Sequence, residues 1–241
     1  MKKIYISLFA LATLVQGETF SSIEVQVEGW QTGVYGTFQN TGSIIDLKER
    51  GLEKKISPSI GLDLKGANQY VNFKLGYTKI STDGKKILAS DIQHNGVNFD
   101  RGEMQKSTVD LDIIDAIYYI SKPEDDLVNL DVGIGLRYID GSFETEVCSK
   151  HTTSSFDKYF PIGYLRVEVT PQWAGSVKWI NQLIMSPTDD IHMDIRTALK
   201  TNVYNDISFE AGYRHNQFNT NDGYNADIVA QGVYGALSYT F

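Results

Sequence analysis

The sequence predicts an all-β fold: a transmembrane, antiparallel, up-and-down β-barrel of about ten strands, with eight as the alternative strand count. Three observations predict it. Apolar and polar residues alternate along most of the chain, the alternating segments are about 9–14 residues long, and the connections between them are in turn long and short. A period of two indicates strands with one apolar face. Tilted strands that cross a bilayer need about 9–11 residues, whereas a typical globular strand has about 5–6.

Ten segments carry this alternation. Seven are clear and three are less regular. Most whole segments between the connections have about 9–14 residues, and the alternation is seen in part of each. It is clear in Trp30–Phe38, Ile60–Leu64, Val71–Thr78, Leu130–Tyr138, Leu165–Thr170, Met193–Lys200 and Ile207–Arg214, and less regular in Val109–Ile113, Ala174–Ser186 and Asp227–Phe241. The stretch VQVEGW, Val25–Trp30, changes its apolar parity near Gly29. A β-bulge there, or a first strand that begins there, explains the change.

The connections fall into two classes that match the two sides of a membrane. Long polar loops with extracellular character follow the first, third and fifth segments: Asn40–Ile56, Ser81–Lys106 and Asp140–Lys158. Short turns follow the second, fourth, sixth and eighth: Gly66–Gln69, Ser121–Asp126, Pro171–Trp173 and Asn202–Asp206. Outer-membrane barrels have long extracellular loops and short periplasmic turns. Pro187–Asp190 is the exception, because it is short on the long-loop side.

The first residues predict export. Residues 1–17, MKKIYISLFALATLVQG, combine two lysines, an apolar run of about 12 residues and a cleavage-type ending, as secretory signal peptides do. The apolar run is too short to span about 30 Å of hydrocarbon. We therefore expect a signal peptide at 1–17 and a barrel domain at 18–241.

Composition excludes several kinds of partner. The formal net charge of −8, without a basic run, argues against nucleic-acid binding, which needs clustered Lys and Arg. Cys148 is the only cysteine, so no internal disulfide framework is possible. The four histidines are scattered, and no thiolate or imidazole set suits a structural metal. We expect no metal and no cofactor.

The last ten residues, GVYGALSYTF, resemble the C-terminal signal of bacterial outer-membrane proteins. That signal ends on an aromatic residue with another aromatic two positions earlier, which Phe241 and Tyr239 match, with Tyr234 as a further aromatic. Gly235 lies one position earlier than the usual spacing. The resemblance implies that the barrel assembly machinery of the outer membrane is a partner.

A wider resemblance lies in the middle of the chain. DLDIIDAIYYI, Asp110–Ile120, followed by VNLDVGIGLRYIDG, Val128–Gly141, is similar to a largely uncharacterised family of small outer-membrane β-barrel proteins of Gram-negative bacteria. The resemblance implies an outer-membrane location, outer-membrane lipid as the surrounding partner, and the barrel fold. It implies no activity.

Residue parity predicts which charges line the lumen. They are of both signs, and buried charges must be paired, so we expect a lumen filled by paired side chains, with a structural or surface-interaction role for the protein. A narrow pore for small solutes is the alternative. The predicted lumen-facing charges are Lys74, Asp110, Asp112, Asp131, Arg137, Arg166, Glu168, Asp194, Arg196, Lys200, Glu210 and Arg214.

Two further alternatives place function elsewhere. A soluble periplasmic carrier of lipocalin type would turn its apolar parity inward, around a ligand. A rim protease of omptin type would bring together Asp189, Asp190, His192 and His215, because an Asp–His pair can activate water as a general base. The sequence around these residues carries no omptin motif, and we expect the protein not to be an enzyme.

Overall fold

The computed structural model describes residues 20–39, 42–67, 70–122, 127–148, 150–188, 190–220 and 225–241. The predicted signal peptide, residues 1–17, lies outside this range. Within it, no helix has the length and apolarity needed to cross a membrane. The elements are β1 (Phe20–Gln39), β2 (Ile45–Asp46), a 3₁₀ helix (Leu47–Arg50), β3 (Lys55–Gly66), β4 (Asn72–Ile87), β5 (Ile92–His94), β6 (Val97–Phe99), β7 (Met104–Ser121), β8 (Val128–Val147), β9 (Lys150–Val169), β10 (Lys178–Met185), β11 (His192–Tyr204), β12 (Ile207–Thr220) and β13 (Asn225–Thr240).

Ten long strands close into an antiparallel barrel. Their order is β1-β3-β4-β7-β8-β9-β10-β11-β12-β13, and β13 pairs back onto β1 from Glu24↔Thr240 to Gln39↔Asn225. Closure pairs the last strand with the first, so the sheet has no long edge within the membrane. The predicted ten-stranded up-and-down barrel is confirmed.

Several strands are longer than the sequence indicated. The segment Asp140–Lys158, predicted as a polar loop, is mostly strand, because β8 continues to Val147 and β9 begins at Lys150. Cys148 lies in the turn between them with a φ of 52°. Likewise, β4 continues to Ile87 and β7 starts at Met104, which shortens the predicted loop Ser81–Lys106. Polar composition marked these segments as loops, although their backbones pair as strands.

Along a strand, the apolar side chains change from the inner to the outer face of the barrel, as β7 shows. In its upper half the odd-numbered Val109, Leu111 and Ile113 are buried inside the barrel, and Asp110 and Asp112 point outward. In its lower half the outward positions are apolar, from Ile114 to Ile120, and the inward positions include Asp115 and Tyr119. The prediction that Asp110 and Asp112 face the lumen is therefore wrong.

The same reversal explains the parity change in β1. Val27 is 58% exposed on the outside, whereas Trp30 is fully buried inside. The pairing with β3 runs without interruption from Ser22 to Thr32, and the one irregularity of that pairing lies between Phe20 and Ser22. Neither a bulge nor a strand start at Gly29 is present, so that interpretation was wrong. The pairing with β3 stays regular through Gly29, and the environment outside the barrel changes from apolar to aqueous.

The upper half of the barrel has a largely apolar core. Side chains from most strands meet there, among them Phe38, Phe143, Phe156, Phe160 and Phe218. Two connecting segments fold over and into it. We call them the outer plug: the stretch 45–50, which buries Ile45 and Leu47, and the β5–β6 hairpin, 92–99. The polar connection 40–56, expected on this side, thus supplies part of the core.

One predicted strand boundary was wrong on the lower side. Ala174–Val177, placed at the start of a strand, forms a turn in which Ala174 N–H donates to the Pro171 carbonyl and Val177 N–H to the Ala174 carbonyl. The strand itself, β10, begins at Lys178. The connection from β10 to β11 is short, as the sequence indicated, so the barrel wall is lowest there.

Candidate functional site on the outer surface and in the lumen

An apolar belt surrounds the lower half of the barrel. On β8 every outward position from Val128 to Tyr138 is apolar or aromatic, and Ile134 at its centre is 70% exposed. At about 3.3 Å per residue and a tilt of about 40°, this span rises about 25 Å, the height of the apolar band of outer-membrane barrels. Exposed apolar surface of this extent marks an interaction surface, and a continuous belt of this height matches the hydrocarbon layer of a membrane.

Aromatic residues flank the belt on both sides. The outward residues Tyr77, Tyr138, Tyr159 and Tyr213 lie at its upper edge, and Trp179, Phe209, Tyr239 and Phe241 lie toward its lower edge. Phe73 and Tyr118 lie within the belt, in one row with Ile134. Such girdles mark the two interfaces of a membrane. The chain is an integral β-barrel protein of the bacterial outer membrane.

The predicted C-terminal signal residues separate between two faces of this outer-membrane barrel. Tyr239 and Phe241 point outward, with ring centroids 4.6 Å apart, and the Phe241 N–H donates to the Ile23 carbonyl on the first strand. Tyr234 is buried in the lumen, where its hydroxyl donates to the carboxylate of Glu210. Of these three residues, only Tyr239 and Phe241 present aromatic rings at the lower interface.

The centre of the lumen is closed by a network of buried ion pairs. Asp194, which is fully buried, accepts from Arg137 Nη2 at 3.1 Å and from Arg214 Nη2 at 2.8 Å. Arg137 also pairs with Asp115, and Arg214 Nη1 donates to Glu28 Oε1 at 3.1 Å. Buried ions persist only when each has a partner of opposite sign, and this network satisfies that condition across five strands.

A second charged layer lies closer to the lower end. Lys200 Nζ donates to Glu24 at 2.8 Å, Lys178 Nζ donates to Glu168 at 2.7 Å, and Lys74 lies 3.8 Å from Asp63. The Tyr119 hydroxyl donates to Asp63 at 2.5 Å. These contacts link neighbouring strands and also join strands that do not pair in the sheet, β11 with β1 and β7 with β3.

Most of the predicted lumen residues share the buried parity of their strands. They are Lys74, Asp131, Arg137, Arg166, Glu168, Asp194, Arg196, Lys200, Glu210 and Arg214. Asp110 and Asp112 instead point outward above the belt, where Asp112 lies 3.5 Å from Lys79. Glu24, Glu28, Asp63 and Asp115 are lumen partners that the sequence analysis missed. Glu24 and Glu28 share the parity of Trp30, and a longer first strand would have revealed them.

Small cavities lie between these side chains. Two cavities of about 30 and about 20 Å³ lie next to one another, and both are lined by Gln26, Lys74, Gln182 and Arg196. Each has room for no more than two or three water molecules, since a single water needs about 10–15 Å³ of such volume. Within the described residues, neither cavity can accommodate a solute of metabolite size.

The residues considered for a rim protease do not converge. His192 is fully buried and lies 2.9 Å from Arg137 Nη1, whereas His215 faces outward and contacts Gln231 at 3.1 Å. Asp190 pairs with Lys158, and Asp189 lies outside the described residues. In the described part of the chain, no group of three His, Cys, Asp or Glu residues could hold a metal ion.

One titratable residue is buried in the outer plug. His94 lies between the hydroxyls of Thr145 and Ser154, at 3.0 and 2.9 Å, and beside the Phe143 ring. Burial, together with the positive charge of Arg50, lowers the pKa of His94 to about 4. The imidazole is therefore neutral at neutral pH and serves the plug as a hydrogen-bonding group.

Comparison with known proteins finds similarity in structure only. No protein-family model and no curated protein matches the chain. Similar solved structures include Ail, the attachment invasion locus protein of Yersinia pestis, with 8% identity over 91% of this chain and 99% of that chain, and a TM-score of 0.40. Neisserial surface protein A has 11% identity over 92% and 99%, with a TM-score of 0.40. The translocator domain of NalP from Neisseria meningitidis has 12% identity over 98% and 94%, with a TM-score of 0.45. All three are Gram-negative outer-membrane barrels, and at these values we transfer no property from them to this chain.

Proposed function

We propose that this outer-membrane barrel does not conduct solutes and acts through the surface that it presents outside the cell. The observation that carries the proposal is the closed lumen. Arg137, Arg214 and Asp194 are fully buried in its middle, and the Arg214 guanidinium lies 4.6 Å from the centroid of the Trp30 ring, where the apolar core begins. A solute would have to pass both the ion-pair network and the apolar core.

The energetics of the two layers oppose a pore. Opening the charged layer would leave buried ions without partners, which costs several kcal/mol per ion. Opening the upper layer exposes aromatic side chains to water at about 25 cal/mol per Å². Small barrels near eight strands are filled by side chains, whereas aqueous channels belong to barrels of about 16 strands.

The upper half of the barrel is suited to a surface role. From Ile139 to Val147, β8 rises about 20 Å beyond the lipid belt at a tilt of about 40°. Its inward residues are mostly apolar and its outward residues polar, the arrangement of a water-soluble domain. The protein thus presents a rigid, folded platform to the exterior, where binding partners would meet it.

The partners and activities that follow are also proposals. Outer-membrane lipid contacts the belt, and Tyr239 and Phe241 serve recognition by the barrel assembly machinery. We propose no enzymatic activity, because the two candidate histidines, His192 and His215, lie on opposite faces of the wall and Asp190 is paired with Lys158. A soluble carrier is disfavoured because its apolar face would line a ligand cavity, whereas this belt faces outward.

Single-channel recording in planar bilayers tests the proposal. The refolded protein is reconstituted, and its folded state is checked in the same preparation by its heat-dependent gel mobility. We expect folded protein and no discrete conductance steps. Reproducible steps from folded protein would overturn the proposal and indicate the narrow pore.

A further inference from the structure

Above the membrane, β9 has one paired edge and one open edge. It pairs with β8 along its whole length, from Lys150↔Val147 to Val169↔Val128. On its other side β10 pairs only with Gly163–Val169. In the described part of the chain, no strand pairs with this second edge from residue 150 to 162. Open edges are templates for pairing with another chain.

The register shows which backbone groups point to the open edge. Thr170 N–H donates to the Leu127 carbonyl at 2.8 Å, so even-numbered residues of β9 bond to β8. The amides and carbonyls of the odd-numbered Ser155, Asp157 and Tyr159 then point away from β8. Pro161 has the same parity and lacks an N–H, which is tolerated only at an edge. At the upper end, the Thr153 carbonyl accepts from the Asn95 side chain at 3.3 Å.

An unbalanced row of acidic side chains ends at this edge. Asp112, Asp140 and Asp157 lie directly opposite one another on β7, β8 and β9. Like charges in this arrangement destabilise a sheet. Lys79 on β4 lies 3.5 Å from Asp112 and balances the row on that side. Among the described residues, no cation lies within salt-bridge distance of Asp140 or Asp157, and the next position of the row is the open edge.

We propose that the β9 edge from Ser155 to Tyr159 binds an extended segment of a partner polypeptide by strand addition, with a Lys or Arg opposite Asp157. Main-chain hydrogen bonds to Ser155, Asp157 and Tyr159 supply affinity, and the basic residue completes the acidic row. Residues of the segment on the inner face lie beside Phe156 and Phe160, and apolar side chains suit them. The proposal rests on the surface role proposed above.

A second copy in the same membrane is a poor occupant of this edge. Two barrels whose β9 edges face one another are related by a twofold axis along the membrane normal. With strands tilted by about 35–45°, the two β9 strands would cross at about 70–90° rather than align. An extended segment that is free to orient meets no such restriction.

The binding of a designed peptide tests the proposal. The probe is a fluorescein-labelled nine-residue peptide, TVKVTVKVT, added to the refolded barrel in detergent and followed by fluorescence anisotropy. We expect saturable binding that weakens at least tenfold when alternate peptide nitrogens are methylated, because those amides pair with the edge. Replacing both lysines by Glu should weaken binding by a similar factor and reduce its salt dependence.

Two variants and a matched control locate the site. Ser155→Pro removes an N–H that faces the open edge and leaves the pairing with β8 intact, so it should weaken binding about tenfold. Asp157→Lys should weaken the Lys peptide and strengthen the Glu peptide. The control, Asp110→Lys, reverses an outward charge two strands from the edge and should leave both peptides unchanged.

Either of two results would overturn the proposal. One is no saturable binding up to millimolar peptide while heat-dependent mobility shows a folded barrel. The other is equal binding by the wild-type protein, Ser155→Pro and Asp157→Lys. Conductance of the same preparation separates the two proposals. A silent barrel that binds no peptide refutes strand addition alone, and a conducting barrel refutes the surface role.

Discussion

Ile134 is the residue that reports most directly on lipid contact. Its side chain is 70% exposed at the middle of the belt. Replacing it by Arg should lower the free energy of unfolding by about 2–4 kcal/mol, because a charge at the bilayer midplane loses its hydration. Guanidinium titration in lipid vesicles, followed by tryptophan fluorescence, measures this. Ser142→Arg, on the same face of β8 above the belt, should change it by less than about 0.5 kcal/mol. Equal costs at both positions would contradict the placement of the membrane.

Asp194 tests the closed lumen at the same scale. Asp194→Ala leaves Arg137 and Arg214 without their shared carboxylate and should cost about 3–5 kcal/mol. Glu146→Ala removes an exposed pair with Lys106, at 3.5 Å, and should cost about 0–1 kcal/mol. Chemical unfolding in detergent compares the two variants. Similar losses would mean that water fills the lumen and screens its charges.

His94 gives the outer plug a pH dependence. Its folded pKa of about 4 lies below the ordinary value of 6.5, so between these values the opened plug binds more protons than the closed plug. The stability contributed by neutral His94 is complete above pH 6.5 and is lost as the pH falls toward 4. Amide exchange in 92–99, corrected for intrinsic rates, should accelerate up to about tenfold per pH unit in that window. His94→Asn should remove the dependence, and His151→Gln, at an exposed site, should not.

Single residues also show what the sequence could not predict, namely the face of the strand on which a residue lies above the belt. The parity prediction assumes that apolar residues face lipid along the whole strand. That holds for Val132 and Ile134 but fails for Val109 and Leu111, which lie above the belt and face inward. For this reason parity predicts Asp110 and Asp112 in the lumen, whereas they point outward. Whether a strand segment lies in lipid or in water depends on the height at which it sits in the barrel, which local alternation does not encode.

At the scale of elements, the β8–β9 hairpin carries the most testable geometry. Even-numbered amides of β9 bond to β8, whereas those of Ser155, Asp157 and Tyr159 face the open edge. Residue-resolved hydrogen exchange should therefore alternate, with odd-numbered amides from 155 to 159 exchanging at least about a hundredfold faster than Phe156 and Lys158. Uniform protection would show that another strand covers the edge, and uniform fast exchange would show that the hairpin is a loop.

The glycines of β8 explain part of its sequence motif. Gly133 and Gly135 in LDVGIG face the lumen, and a Cβ at Gly133 would lie 2.6 Å from the Cβ of Tyr119. The strand therefore needs glycine where the buried tyrosine packs.

Strand existence and order could be predicted from alternation and turn residues. Strand ends could not, because the polar, outward residues of 140–158 are typical of loops as well as of strands in water.

At the scale of the whole molecule, two environments are stacked along one barrel. The lower half has an apolar exterior and a charged interior, and the upper half has the opposite arrangement. The outer surface of each half matches its surroundings, lipid below and water above. The outward side chains change from apolar to polar at the row Tyr77–Ile114–Tyr138–Tyr159. The barrel count and closure could be predicted from ten alternating segments. The reversal could not, since it emerges only when the strands are aligned in register.

Spin-label accessibility along β7 measures this reversal most directly. Cys148 is replaced by Ser, and single cysteines are labelled at each position from 108 to 120 in the reconstituted barrel. We predict that labels at 114, 116, 118 and 120 are accessible to oxygen dissolved in lipid, and that labels at 108, 110 and 112 are accessible to a water-soluble nickel reagent. Odd-numbered positions should be shielded from both. Lipid accessibility at 109, 111 and 113, with 110 and 112 shielded, would contradict the reversal and place Asp110 and Asp112 in the lumen.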